Sequence, residues 1–216
     1  MSETAAEPGD LRDRLKRGDE DALARLFSQH RDRLWRMVSF RLDRRLLGRV
    51  DPDDVLQEAY LAAAQRLRHY GSDSSPSPFV WLRMIAMQTL TDVYRHHLGV
   101  QMRDADREVA LHGRANPPTT SASLAALLVG RFTSPSQAAA RAETLDQVER
   151  AIGAMEPLDQ EVLALRHFEE LTNSEVAEVL GIQQKAASIR YVRALRRLKE
   201  LLGGMPGFAE AFARGI

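Results

Sequence analysis

Six histidines (His30, His69, His96, His97, His112 and His167) are the chain's only imidazoles, and it has no cysteine. The histidines are scattered. No HExxH spacing pairs two of them on one helix face, no glycine-rich loop is present to cradle a phosphate, and no serine sits in a nucleophile elbow. Covalent catalysis, a metal centre, a bound cofactor and a disulfide framework are therefore not expected, and the chain does not read as an enzyme. What is arranged is charge. Between Lys185 and Lys199 stand six cations, Lys185, Arg190, Arg193, Arg196, Arg197 and Lys199, with no acid among them. Yet Lys plus Arg equals Asp plus Glu over all 216 residues. From Glu143 to Glu178, by contrast, acids far outnumber Arg150 and Arg166. A chain of zero net charge is not drawn to polyanions as a whole, so any such attraction must come from local asymmetry.

The basic run follows a turn signal. Thr172-Asn173-Ser174-Glu175 is a capping box, in which the threonine hydroxyl and the glutamate carboxylate each satisfy a free backbone amide. Val176, Ala177 and Leu180 then face inward, Gly181 suits a left-handed helix end, and Ile182 plugs the core before a second helix begins near Gln184. A small residue, a glycine four later and an aliphatic after it are what a tight helix-turn-helix needs. On the second helix Gln184, Lys185, Ser188, Arg190, Arg193 and Arg197 are set for duplex DNA, early residues at base edges and later arginines at phosphates. The plainer reading is a helical hairpin with a solvated basic face. The coincidence of cap, alanine, glycine and cations in one register favours DNA.

Two further stretches carry recognition chemistry. In "DPDDVLQEAYLAAAQRL", Asp51 to Leu67, the residues Asp54, Gln57, Glu58, Leu61 and Gln65 share one face opposite the apolar stripe. Acids in a first turn suit the helix dipole, but Gln57 and Glu58 lie a turn later and suit a basic protein partner. In "PFVWLRMIAMQTLTDVYRHHLG", Pro78 to Gly99, the residues Trp81, Met84, Met87, Gln88, Thr91 and Arg95 fall away from the expected core stripe, ahead of His96 and His97. An exposed tryptophan with soft and cationic neighbours can stack on unpaired bases, although a tryptophan at helical spacing is more often core.

These stretches need helices to position them. Leu23, Leu26, Phe27, Leu34, Met37 and Val38 repeat at helical spacing, as do Val55, Leu56, Ala59, Ala63 and Leu67, and Leu82, Ile85, Ala86, Thr89, Leu90 and Val93. No stretch alternates long enough for a strand. The spacing predicts an all-α chain of two small domains, with a tail at 1–18, a domain at 19–99, a linker at 100–138, a second domain at 139–203 and a tail at 204–216 that could form one short helix. Pro117-Pro118 and the Ser/Thr cluster mark the linker, within which Leu124 to Val129 is a short apolar stretch able to dock. Leu145, Val148, Ile152 and Met155 form a helix ended at Pro157, and Asp159 is set to cap the next, with Val162, Leu165 and Phe168 inward. No run approaches the ~18 apolar residues of a membrane span and no signal peptide opens the chain, so a cytoplasmic protein is expected.

In this order, "DPDDVLQEAY", "WLRMIAMQTLTDVYRHH", then "LDQEVLALRHFEELTNSEVAEVLGI" and a basic helix, the chain resembles the bacterial RNA polymerase sigma factors, specifically the two-domain extracytoplasmic-function (ECF) group. The resemblance runs from about Asp21 to Leu202. It implies a region 2 helical bundle and a region 4 helix-turn-helix, and a protein that binds core RNA polymerase and directs promoter recognition, DNA melting and initiation. Asp54, Gln57 and Glu58, with Leu61 beside them, would grip the polymerase. Trp81, Met84, Met87, Gln88, Arg95 and His96 would hold the opened −10 element, with Asp92 as a helix-stabilising acid. The second hairpin helix would enter the −35 major groove, and the linker would thread toward the polymerase active centre. Met87 and Gln88 stand where the family often has a basic residue and Asn, and Ala186-Ala187 where Thr-Val is frequent. The implied partners are core polymerase, promoter DNA and, as for many members, an anti-sigma protein. The rival reading is a free-standing helix-turn-helix regulator with a helical dimerisation domain. It accounts for the hairpin but not for the acidic face or the aromatic-basic helix.

Overall fold

The computed structural model describes residues 8–42, 46, 48–71, 76–98, 121–132 and 138–203, and every regular element among them is helical. The chain divides into two compact units, one ending at Pro117 and the other beginning at Pro118.

The first unit holds α1 (Pro8–Lys16), α2 (Glu20–Arg41), α3 (Pro52–Arg66) with a 3-10 turn at Leu67–His69, and α4 (Pro78–Leu98). Pro52 and Pro78 open their helices, where a missing N–H costs nothing and the fixed φ is already helical. Helices α2, α3 and α4 pack pairwise against one another. The three apolar stripes meet at their centre: Leu23, Leu26, Leu34, Met37 and Val38 from α2, Val55, Leu56, Ala59 and Ala63 from α3, and Leu82, Ile85, Ala86 and Leu90 from α4 are all buried. Aromatic and cationic contacts close the rim. Arg33 lies over the Phe79 ring at 3.7 Å, Phe27 meets Tyr60 edge-on at 5.1 Å, and the Tyr94 hydroxyl donates to the Arg41 carbonyl.

Residues expected to form an N-terminal tail include a helix. α1 packs on α2 and the 3-10 turn, with Leu15 fully buried. Asp19 holds the corner between the helices: it accepts the Ala22 amide at 3.1 Å as the N-cap of α2 and the Arg14 Nε at 2.8 Å. The Arg14 hydrogen bond, with the Ala22 amide, keeps this carboxyl below the usual carboxylate range.

The second unit holds α5 (Ser121–Phe132), α6 (Ala138–Gly153), α7 (Pro157–His167), α8 (Asn173–Leu180) and α9 (Gln184–Gly203). α5 pairs antiparallel with α6, Ser121 at one end lying beside Gly153 at the other. Leu124, Ala125 and Val129 share one face of α5 and are buried. The apolar stretch expected within a linker is therefore a docked helix of the second unit. The rest of the expected linker, 100–120 and 133–137, and the tail at 204–216 lie outside the described residues. α9 packs on α6, α7 and α8 through a stripe of Ala187, Ala194, Leu198 and Leu202.

Candidate functional site

The turn between α8 and α9 is built as the sequence predicts. Thr172 Oγ1 accepts the Glu175 amide at 3.3 Å, and Glu175 Oε2 accepts the Thr172 amide at 2.7 Å. Gly181 takes φ +65, which an L side chain seldom adopts, and the Ile182 amide turns back to the Ala177 carbonyl at 3.0 Å. Ala177 and Ala187 are buried at the crossing. The Asn173 side chain donates to the Gln184 carbonyl at 2.9 Å and joins the starts of the two helices. Ile182 is half-buried rather than a core plug.

Not all cations of α9 face solvent alike. Asp159, expected to cap α7, is instead in its first turn and only 5% exposed. It accepts hydrogen bonds from Arg190 at 3.1 Å and from Arg193 at 3.2 Å. The N-cap position belongs to Glu156, which makes no capping bond of its own and lies 3.4 Å from Arg193. Arg190, read as a DNA contact, is therefore drawn back onto α7, its side chain 27% exposed. Arg197 pairs with Glu200 along the helix at 3.4 Å. Among the described residues Lys185, Arg196 and Lys199 have no ion-pair partner and are exposed. Gln184 and Ser188 are exposed too. Between them stand two residues missed in the sequence, Ile189 at 61% and Val192 at 53% exposure. The buried stripe at Ala187, Ala194 and Leu198 was the available signal, because it sets Lys185, Ile189, Val192 and Arg196 on the opposite face.

On α3 the residues Asp54, Gln57, Glu58, Leu61 and Gln65 are brought together on an exposed face, with Leu61 60% exposed among them. The Asp53 carboxylate is paired with Arg31 of α2. Asp54 and Glu58 have no ion-pair partner among the described residues, so their field projects outward.

α4 departs furthest from expectation. Met87 is 1% exposed and Thr91 is buried with its hydroxyl bonded to the Met87 carbonyl at 2.8 Å, so neither can meet a base. The cause is that α4 packs against both α2 and α3, which buries a wider arc than one apolar stripe. Trp81 is half-buried, its ring 4.8 Å from Tyr70, and Met84 is half-buried. Gln88, Asp92, Arg95, His96 and His97 remain exposed. Asp92 accepts from Gln88 at 3.2 Å and from Arg95 at 3.4 Å, a polar row about two turns long. Among the described residues no helix is long and apolar enough to cross a membrane, and no group of three or more acids or histidines could hold a metal ion.

Both units match known families. Residues 26–98 match the model of sigma-70 region 2 and residues 145–198 that of sigma-70 region 4, together more than half the chain. The chain belongs to the sigma-70 family of RNA polymerase sigma factors, in its ECF group. It is 29% identical to the ECF RNA polymerase sigma factor BldN of Streptomyces coelicolor over 89% of this chain and 65% of that one. It is 26% identical to the RNA polymerase sigma factor CarQ of Myxococcus xanthus over 88% of this chain and 95% of that one. A solved structure of CnrH in complex with the cytosolic domain of CnrY is similar at 24% identity, covering 89% of this chain and 95% of that one with a TM-score of 0.49. Proteins of this family direct RNA polymerase to promoters. A free-standing regulator is not favoured, since it has no need of a region 2 unit.

Proposed function

We propose that the first unit docks on core RNA polymerase through the α3 face and holds opened promoter DNA along α4, while the second unit sets α9 in the major groove of the upstream element. The observation that carries this reading is Leu61, exposed one turn beyond Glu58 on the face that also carries the unpaired carboxylate of Asp54. An exposed apolar side chain next to unpaired acids is a surface that a basic protein partner desolvates favourably, and a DNA-binding role does not account for it. On α4, Gln88, Arg95 and His96 are the polar contacts for a displaced strand, and the accessible edges of Trp81 and Met84 offer it an apolar shoulder. On α9, Gln184, Lys185 and Ser188 meet base edges, and Arg193, Arg196 and Arg197 meet phosphates. Arg190 acts through Asp159 and fixes the helix's seating. Initiation and strand opening then follow from binding alone, with no bond made or broken by the chain. The place of action is the cytoplasm, and an anti-sigma protein would compete for these same surfaces.

Run-off transcription with purified core polymerase tests the reading. Asp54→Arg with Glu58→Arg abolishes co-elution with polymerase and all transcription, whereas Lys185→Ala with Arg196→Ala keeps co-elution and loses dependence on the upstream element. Co-elution that survives the double charge reversal overturns the assignment of α3.

A further inference from the structure

Two aliphatic side chains stand in water at the centre of the basic helix, where neither core packing nor solubility accounts for them. Ile189 and Val192 are 61% and 53% exposed, on the face opposite the buried Ala187 and Ala194. Lys185 precedes them and Arg196 follows on the same face, both cations without an ion-pair partner among the described residues. A polyanion is the occupant that this charge frame fits. The major groove of DNA presents one prominent apolar group to such a face, the C5-methyl of thymine. Resting on the reading that α9 enters the upstream element, we propose that Ile189 and Val192 determine specificity by packing on thymine methyl groups in the groove, one each.

The spacing supports two separate contacts. Residues three apart on a helix rise by about 4.5 Å, close to the roughly 3.4 Å between successive base pairs, so the two side chains reach neighbouring steps, on either strand. Lys185 and Arg196, outside them, reach phosphates or purine edges and fix the register without reading methyls. The apolar pair thus supplies thymine-against-cytosine discrimination that the cations on this helix cannot.

The test uses holoenzyme reconstituted from the full chain and core polymerase. An active promoter is first selected from a library randomised in the upstream element. Each thymine there is then replaced by deoxyuridine, which removes the methyl and keeps every hydrogen-bonding group. The expected result is a loss of transcription of about three- to ten-fold at two neighbouring steps and little elsewhere. Ile189→Ala cancels the thymine–uridine difference at one of those steps and Val192→Ala at the other. Both positions are exposed, so the variants fold, and circular dichroism checks this. The proposal is overturned if the selected elements need no thymine, if deoxyuridine is tolerated throughout, or if the alanine variants keep the difference. It is also overturned if they lower transcription on both templates equally, the mark of a protein-docking face. Failure of the underlying reading looks different: no library member then gives promoter-dependent transcription.

Discussion

At the scale of single residues, Asp159 and its two arginines decide which cations α9 can offer. A carboxylate nearly out of water is stable only when its charge and lone pairs are met, and Arg190 and Arg193 supply both. Removing Asp159 leaves two cations facing each other, one of them largely covered. Asp159→Ala is expected to lower the stability of the second unit by about 1–3 kcal/mol. Glu156→Ala, at an exposed pair, costs at most about 1 kcal/mol. Urea denaturation of the full chain measures both, and equal effects would deny Asp159 its role. Asp19 has a pH signature of its own. Its folded pKa lies below the unfolded value, first because of Arg14, so its contribution is complete above the unfolded pKa and is lost as pH falls through the folded one. Melting temperatures followed into acid should fall less steeply for Asp19→Asn, which keeps a capping oxygen but no charge.

At the scale of elements, α5 is the informative case. A linker needs no buried side chains, yet Leu124, Ala125 and Val129 are sealed against α6. Leu124→Ala should therefore cost about 2–5 kcal/mol, as for a core leucine, where a linker leucine would cost almost nothing. Chemical denaturation distinguishes the two outcomes. α4 makes the converse point. Its polar row of Gln88, Asp92 and Arg95 is narrow because neighbours on two sides take the rest of the helix.

At the scale of the whole molecule, zero net charge conceals a division of labour. The acids of α3 and the cations of α9 lie on different units, and on the proposed reading they meet different partners. Phosphate neutralisation drives non-specific affinity, and with Arg190 drawn onto Asp159 one fewer cation of α9 is left to supply it. Free chain should bind duplex DNA weakly. Replacing Arg196 or Arg197 with Ala should each lower the slope of log affinity against log salt by about one, while Arg190→Ala leaves the slope nearly unchanged. Fluorescence anisotropy at several salt concentrations reads this.

The sequence by itself determined whatever depends on neighbours a few residues away. It carried the helical periods, the Thr172–Glu175 cap, the glycine turn at Gly181 and the shared face of Asp54, Gln57, Glu58 and Leu61, because local geometry alone sets these. Tertiary structure decided which of those side chains remain available. Arg190 is claimed by a carboxylate 31 residues upstream, Met87 is covered by two helices rather than one, and α5 is recruited out of an apparent linker. The reason is physical: burial and ion pairing depend on what packs against a face, and the identity of that neighbour is not encoded within a turn of the helix itself.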